Sequence, residues 1–352
     1  MQITANNEVH FDRGWDCLQA KQTLLAARHI VLVAHLHADG DAVGALTGLT
    51  ALLRQVSSAE VTPMLPDGCP DELDWVPGAD AIANGTTDTD ACLSAIARAD
   101  LVILLDLNTF TRTGPLAGAL QQCQAKRMLI DHHLAPSIDL FDLAVSEPDI
   151  SSTCELVYWL MSTTFGDEIF TTDAATSLYT GICTDTGTFS YSNDRTSLYL
   201  ATAGLLRSGI DPADINRRIR NVFSEPRLRF FGHAADRLLT VYPDRQTALM
   251  VIPYSQMQAY GVDSAELSGL VNEVMKLRDI DCAVLIREER DGLVRLSLRS
   301  KSSLDVSRIA SDLFGGGGHT HAAGATSTLS LADTVAAVKR RQIGRASCRE
   351  RV

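Results

Sequence analysis

The stretch His35-Leu36-His37-Ala38-Asp39-Gly40-Asp41 decides how the chain is read, because it places four metal-competent side chains directly after an apolar run. That run, His29-Ile30-Val31-Leu32-Val33-Ala34, has the character of a buried strand from the middle of a parallel sheet. Ala42 to Arg54 then carries the apolar spacing of a helix. The polar cluster therefore falls in a strand-to-helix loop, and open α/β sheets bind ligands at the carboxyl ends of their strands. Taken alone, the same residues also read as a polar turn whose aspartates cap the helix.

Working outward, Val61 to Leu65 reads as a second strand, followed by a loop rich in Pro and Asp and by a helix over Ala91 to Arg98. Leu101 to Leu105 is an apolar strand that stops on Asp106, and Arg127 to Ile130 is another that stops on Asp131-His132-His133. Helical patterns between strands imply right-handed crossovers, which bring these strand ends to one edge of a parallel sheet. Ser151-Ser152-Thr153 predicts a cap for a helix through about Met161, with Glu155 complementing its dipole. Asp173 to Cys183 reads as a helix that breaks into the turn Thr184-Asp185-Thr186-Gly187-Thr188. Arg195 to Ser208 is a helix closed by Gly209, and Asp211-Pro212 starts the next. Arg217, Arg218, Arg220, Arg227 and Arg229 fit a solvated helical connector better than a phosphate-facing wall.

Beyond Gln246 strands and helices alternate again. The expected elements are strand Gln246 to Ile252, a helix around Ser264 to Leu277, a hairpin of Cys282 to Glu288 with Val294 to Arg299, and helix Asp305 to Leu313. The expected fold class is α/β: a parallel-sheet catalytic domain over 12–210, a helical linker over 211–240, and a smaller α/β substrate-binding domain over 241–341. The terminal residues 342–352 lose all periodicity and resemble a translated sequencing adapter, so they are read as a non-native tail and set aside.

Composition narrows the function. A chain of 352 residues with 45% hydrophobic and 21% charged residues is a folded protein of about two domains. Its 31 Lys+Arg against 43 Asp+Glu give a net charge of −12, which excludes a grip on long duplex nucleic acid through phosphate neutralisation. Any nucleic-acid substrate should be short and held in a pocket. The eight cysteines are dispersed without a CxxC pair, as expected of reduced thiols in the cytosol. No signal core and no membrane-spanning run is visible, so a cytoplasmic location without membrane contact is expected.

Collected together, His35, Asp39, Asp41, Asp106, His132 and Asp185 are two histidines and four carboxylates, all on predicted loops. Unpaired carboxylates on one edge repel one another and are costly to desolvate. A pair of divalent cations resolves that conflict. Oxygen-rich donors with a minority of imidazole suit Mn²⁺, or Mg²⁺, better than zinc. Two such ions can activate water and stabilise the charge on a phosphoryl group.

The ordered motifs are His35-x-x-x-Asp39-Gly40-Asp41-Ala42-x-Gly44, Leu105-Asp106, Asp131-His132-His133, Gly181-x-x-Thr184-Asp185-Thr186-Gly187-x-Phe189, and Gly315-Gly316-Gly317-Gly318-His319-x-x-Ala322-Ala323-Gly324. Together they resemble the DHH-family phosphoesterases with the DHH-associated C-terminal domain, of the bifunctional oligoribonuclease and pAp phosphatase (nanoRNase) type. The resemblance covers about residues 12 to 340. It implies that His35 and Asp39 bind one metal, that Asp41, His132 and Asp185 bind the other, and that Asp106 bridges them. It further implies that Asp131 orients the neighbouring histidine and that His133 faces the scissile phosphate as a donor or proton shuttle. In the second domain, Arg299, Ser300, Lys301, Gly317, Gly318 and His319 would hold the substrate's other phosphate. His37 departs from the family pattern and is taken as a bystander, and His321 as a solvent-facing loop residue.

The expected activity is Mn²⁺-dependent hydrolysis of short single-stranded oligoribonucleotides to mononucleotides and removal of the 3′-phosphate of pAp. Homodimerisation is what the resemblance suggests. Alternatives are a cyclic- or linear-dinucleotide phosphodiesterase and a polyphosphate or pyrophosphate hydrolase. From another class, a non-catalytic nucleotide-binding module would also carry such a pocket, but the intact donor set argues against it.

Overall fold

A computed structural model describes residues 2–3, 9–10, 16–133, 136–190, 194–220, 223–267, 269–301 and 304–341; the tail read as non-native lies outside them. The chain divides into two compact units, Met1–Val222 and Phe223–Val352.

The first unit is built on six strands: β1 (His29–Val33), β2 (Glu60–Leu65), β3 (Ala83–Asn84), β4 (Leu101–Leu105), β5 (Lys126–Asp131) and β6 (Leu143–Ser146). All pair in parallel, in the order β3-β2-β1-β4-β5-β6. The order reverses between β1 and β4, so the connections leaving these two strands diverge and open a crevice at their carboxyl ends. The strands read as continuous apolar runs because both faces are covered. On one face, Ile30, Leu32, Ile103, Leu105 and Ile130 pack with α1 (Cys17–Ala26), α2 (Gly40–Val56), α5 (Thr153–Phe165), α6 (Thr172–Asp185) and α7 (Thr196–Arg207). On the other, Val31, Val33, Val102, Leu104 and Leu129 pack with α3 (Thr89–Arg98) and α4 (Ala117–Gln122). Helix α8 (Pro212–Arg220) closes the unit.

Helices α2 and α6 pack unusually closely. A Cβ on Gly181 of α6 would lie 2.2 Å from Cys154 Sγ and 3.0 Å from the Asp41 Cα, so no larger residue fits there. That close approach brings Asp41, near the start of α2, beside Asp185, at the end of α6.

The second unit holds a mixed sheet. Its strands are β7 (Leu239–Tyr242), β8 (Thr247–Ile252), β9 (Cys282–Glu288), β10 (Val294–Ser300), β11 (Gly317–His319) and β12 (Ala322–Ser327), in the order β11-β12-β10-β9-β8-β7. Only β8 and β9 run parallel. Ala248, Met250, Ile252, Ala283 and Leu285 face one core with α9 (Glu225–His233), α10 (Tyr254–Tyr260) and α11 (Leu270–Met275). Leu249, Val284, Ile286, Leu296 and Leu298 face another with α12 (Val306–Phe314) and α13 (Leu331–Arg340).

Several local expectations are corrected. Asp41 and Asp185 lie on helices, not loops. Asp39 is the N-cap whose Oδ1 accepts from the Asp41 and Ala42 amides, so α2 begins at Gly40. Helix α6 runs through Asp185 because the Thr184 hydroxyl donates back to the Gly181 and Thr180 carbonyls instead of breaking the helix. The segment expected to be helical through 240 turns into strand β7 at Leu239. The helix expected around Ser264 to Leu277 is interrupted at Gly269, whose φ of +82° starts α11 afresh. Strand β6 and helix α10 have no counterpart in the sequence reading. The arginine cluster is a solvated connector: Arg217 and Arg218 pair with Asp214, Arg229 with Glu225, and Arg227 lies over the Phe223 ring at 4.1 Å.

Candidate metal centre

The carboxyl ends of β1, β4 and β5 deliver His35, Asp106 and His132, and the facing ends of α2 and α6 deliver Asp39, Asp41 and Asp185. Three donor groups result: His35 with Asp39 and Asp106, Asp41 with His132 and Asp185, and Asp106 with His132 and His133. Within each group the donor atoms all lie within 4.8 Å of one another. Asp106 is shared by the first and third groups and His132 by the second and third. All six residues expected to hold metal are thus brought together. Asp39 unites the two readings of its loop, since it caps α2 and also belongs to a donor group.

The donors converge in a way that a proton cannot satisfy. His35 Nδ1 donates to the Leu36 carbonyl at 2.8 Å, which leaves Nε2 as the ring nitrogen facing the cluster, 3.3 Å from Asp106 Oδ2. His132 Nε2 faces three carboxylates at once: Asp185 Oδ2 at 3.4 Å, Asp106 Oδ1 at 3.5 Å and Asp41 Oδ2 at 3.8 Å. One N–H could serve only one of them, whereas a cation serves all. Asp106 is 2% exposed and adopts a left-handed φ of +58°, a conformation uncommon for a residue with a Cβ.

The electrostatics carry the same signature. Burial, then the Asp106 charge, pushes the Asp41 carboxyl up to about 7. Burial, then the Asp41 charge, pushes Asp185 up to about 9. For His132, burial works against the charged form, but the hydrogen bond to Asp106 and the charges of Asp41, Asp106 and Asp185 outweigh it and raise it to about 10. His35 rises in the same sense, its burial outweighed by the hydrogen bond and charge of Asp106. Asp106 moves the other way: despite its burial, the His132 and His35 hydrogen bonds hold it well below the usual carboxylate range. A cluster that retains protons on two carboxylates near neutrality is one that lacks positive charge. The residues therefore fit divalent cations, with oxygen donors predominating over imidazole.

Helix α5 supports the cluster from behind. The Thr153 and Cys154 amides, at its N-terminus, donate to Asp41 Oδ2 at 2.7 Å and Oδ1 at 2.9 Å. The Thr153 hydroxyl donates to Asp106 Oδ1 at 3.0 Å. One fully buried threonine thus holds a carboxylate from each donor group. Sequence reading saw Thr153 only as part of a cap. Glu155, expected to complement the helix dipole, is buried and accepts from the Ser151 amide and hydroxyl while Ser152 Oγ accepts from the Glu155 amide. That reciprocal cap fixes the direction in which the α5 amides point.

Asp131 orients His133, not His132: His133 Nδ1 donates to Asp131 Oδ1 at 2.7 Å. Arg112, which sequence reading passed over, places Nη1 3.2 Å from His133 Nε2. Its segment is tied to the metal-bearing loop, because the Leu36 amide donates to the Arg112 carbonyl at 2.8 Å and the Leu36 side chain fills the space beside Gly114. Gly114 has φ +53° and ψ −124°, a backbone only glycine adopts readily. The signal that could have found Arg112 is a cation six residues beyond a strand-terminal aspartate.

His37 points away from the donors, 91% exposed, with Nδ1 2.9 Å from Asp67 Oδ2. In the second unit, Arg299 Nε donates to Asn272 Oδ1 at 3.2 Å, Ser300 Oγ to the Leu304 carbonyl at 2.8 Å, and Lys301 Nζ to the Leu277 carbonyl at 2.8 Å. Gly317 and Gly318 lie in edge strand β11, which pairs with β12, and Gly318 has φ +140°. His319 ends that strand. His321 is exposed but not an idle loop residue: its Nδ1 sits 3.1 Å from Ser300 Oγ and its carbonyl accepts the Ser300 amide.

Comparison with known proteins adds independent findings. Residues 29–182 match the DHH family N-terminal domain, and residues 250–343 match the DHHA1 domain. The chain is 27% identical over 320 residues to a bifunctional oligoribonuclease and PAP phosphatase NrnA from Thermus thermophilus, covering 89% of each chain. It superposes on a crystal structure of an exopolyphosphatase-related protein from Bacteroides fragilis with a TM-score of 0.90 and 29% identity, over 94% of this chain and 97% of that one. A structure of RecJ in complex with Mn²⁺ from Thermus thermophilus shares the fold at a TM-score of 0.53 and 14% identity, over 93% of this chain and 54% of that one.

Proposed function

The chain carries the DHH family N-terminal domain and a DHHA1 domain, and from that premise we propose a metal-dependent hydrolase that degrades short oligoribonucleotides to mononucleotides and removes the 3′-phosphate of pAp. The observation that carries this reading is the linked set of donor groups around Asp106 and His132. The name borne by the Thermus thermophilus relative supports the choice of substrates.

In this proposal His35 and Asp39 would hold one ion, Asp41, His132 and Asp185 would hold the other, and Asp106 would serve both. Mn²⁺ suits the mixture of carboxylates and imidazoles. Two such ions supply Lewis acidity toward the phosphoryl group and the attacking water. The chain's own residues do the rest. Thr153 and the α5 amides fix the carboxylates so that no reorganisation is needed on binding. Asp131 holds the His133 ring, and His133 carries a proton at the scissile phosphate. In the DHHA1 domain, Arg299, Ser300, Lys301, Gly317, Gly318 and His319 bind a substrate phosphate; Arg299, Ser300 and Lys301 donate to neutral amide oxygens, which an anion can replace.

The test is turnover with Mn²⁺ of pAp, a ribonucleotide dimer, a 24-mer, cyclic di-AMP and polyphosphate, with Asp106→Ala as control. The expected result is turnover of pAp and the dimer ahead of all others. A 24-mer cleaved as fast as the dimer would sink the short-substrate reading, and polyphosphate as the best substrate would replace it with a polyphosphatase.

A further inference from the structure

We infer that Arg112 is a substrate-binding residue, and that its guanidinium gives up His133 Nε2 to take a phosphoryl oxygen of the bound substrate. The inference rests on the phosphoester reading of the adjoining centre. It goes beyond it by assigning the anion contact in the catalytic domain to a residue outside the metal and histidine motifs.

Hydrogen-bond direction sets the starting state. A guanidinium has donors only, so His133 Nε2 must accept from Arg112 Nη1. The Asp131 carboxylate accepts from His133 Nδ1. In this arrangement the ring's second nitrogen is occupied by Arg112, and His133 cannot offer an Nε2 proton to a phosphate. Release of Arg112 uncovers the Nε2 lone pair, which can then accept a proton from a water molecule or the substrate.

Charge gives the reason for release. Several arginines of this unit are paired with carboxylates, Arg98 with Glu60, Arg195 with Asp149, Arg207 with Asp167, Arg217 and Arg218 with Asp214, while Arg127 donates to the Gln121 and Cys123 carbonyls. Arg112 is half-buried, and among the described residues it forms no ion pair; its other contact is a 3.5 Å approach to the Asp106 carbonyl. It stands beside Asp106 without bonding to that residue's carboxylate. A permanent, partly desolvated charge with an imidazole nitrogen as its chief acceptor gains a stronger partner when a phosphate arrives, and its planar fork fits two phosphoryl oxygens. The backbone is already placed for this, because the Leu36–Arg112 and Leu36–Gly114 contacts fix the arginine's segment to the loop that carries His35 and Asp39.

The experiment measures inorganic phosphate binding to the Mn²⁺-loaded protein by calorimetry, in wild type, Arg112→Gln, Arg112→Lys and each of these with His133→Asn. A charge-assisted phosphate contact predicts a loss of about 10- to 100-fold in phosphate affinity for Arg112→Gln. A smaller loss is expected for Arg112→Lys, with Mn²⁺ stoichiometry unchanged in both. The loss should persist in the His133→Asn background. If it vanishes there, Arg112 acts only by positioning His133, and the inference is overturned. Unchanged phosphate affinity in Arg112→Gln overturns it too; should that variant not fold, unchanged affinity in Arg112→Lys does the same. Arginine-dependent phosphate binding without turnover of any phosphoester would instead remove the functional reading and leave the contact standing.

Discussion

The two polar regions of this molecule are held in opposite ways. The donor groups of the first unit combine buried His35, Asp41 and Asp106 with half-buried His132, His133 and Asp185 and exposed Asp39, from elements far apart in sequence, facing one another across distances that suit a shared cation. Arg299, Ser300 and Lys301 of the second unit come from one strand end and rest largely on neutral carbonyl and amide partners. The first region stores a large unfavourable desolvation that only a cation relieves, whereas the second makes modest contacts that a ligand can exchange. Substitutions should therefore act on all-or-none chemistry in the first and on affinity in the second.

The sharpest way to break that contrast is Asp106→Asn. It removes the charge shared between donor groups, and it should lower kcat by on the order of 10³-fold or more while abolishing part of the Mn²⁺ binding seen by calorimetry. Retained stoichiometry and rate would show the shared carboxylate to be dispensable. Thr153→Val keeps the backbone amide to Asp41 but removes the hydroxyl from Asp106, and metal affinity should weaken by about 10-fold, with Thr153→Ser restoring most of it. In the second unit, Arg299→Ala should raise KM by roughly 10-fold with kcat within a factor of about three, because it removes a ground-state contact. A kcat collapse in that variant would erase the distinction between the regions.

A gentler test uses pH on the metal-free protein. Asp41, Asp185 and His132 titrate near 7, 9 and 10, above their unfolded values, so folding tightens their hold on protons. The stability they contribute is fully present below the unfolded values and is lost as pH rises through the folded ones. The metal-free melting temperature should thus fall between pH 6 and pH 8, through Asp185 and His132 as well as Asp41, while stabilisation by added Mn²⁺ grows over the same interval. Asp106, shifted downward, stays ionised throughout that window. An unchanged melting temperature in scanning fluorimetry would mean that the cluster is not frustrated without metal. The smallest effect is expected for His37→Ala, within about two-fold in activity, since that ring lies outside the donor groups.

Much of the first region was legible in the sequence because its logic is one-dimensional. An apolar strand that stops on Asp or His must place that residue at a sheet edge, and His35, Asp106 and His132 all follow the rule. Asp41 and Asp185 are expected on loops, because helix ends depend on local polar contacts, here the Asp39 cap of α2 and the Thr184 hydroxyl that bonds back within α6. The roles of Thr153 and Arg112 at the donor groups are invisible in the sequence for a different reason: they exist only through contacts with residues more than 20 positions away. The second unit was less legible because β7 is a short edge strand and Gly269 restarts a helix in the middle of an apolar pattern.

The reversal of strand order between β1 and β4 has a consequence for how the centre comes into being. It divides the donors by birth order: His35, Asp39 and Asp41 lie before β4 in the chain, and Asp106, His132 and Asp185 lie after it. Each proposed ion draws on both sets: the donors of one are complete only once Asp106 is made, and those of the other only once Asp185 is made. The early aspartates leave the ribosome as solvated charges and become costly only when α6 docks on α2. In the proposed enzyme, full metal loading would thus wait for α6 to close on α2, with Gly181 as the point of closure.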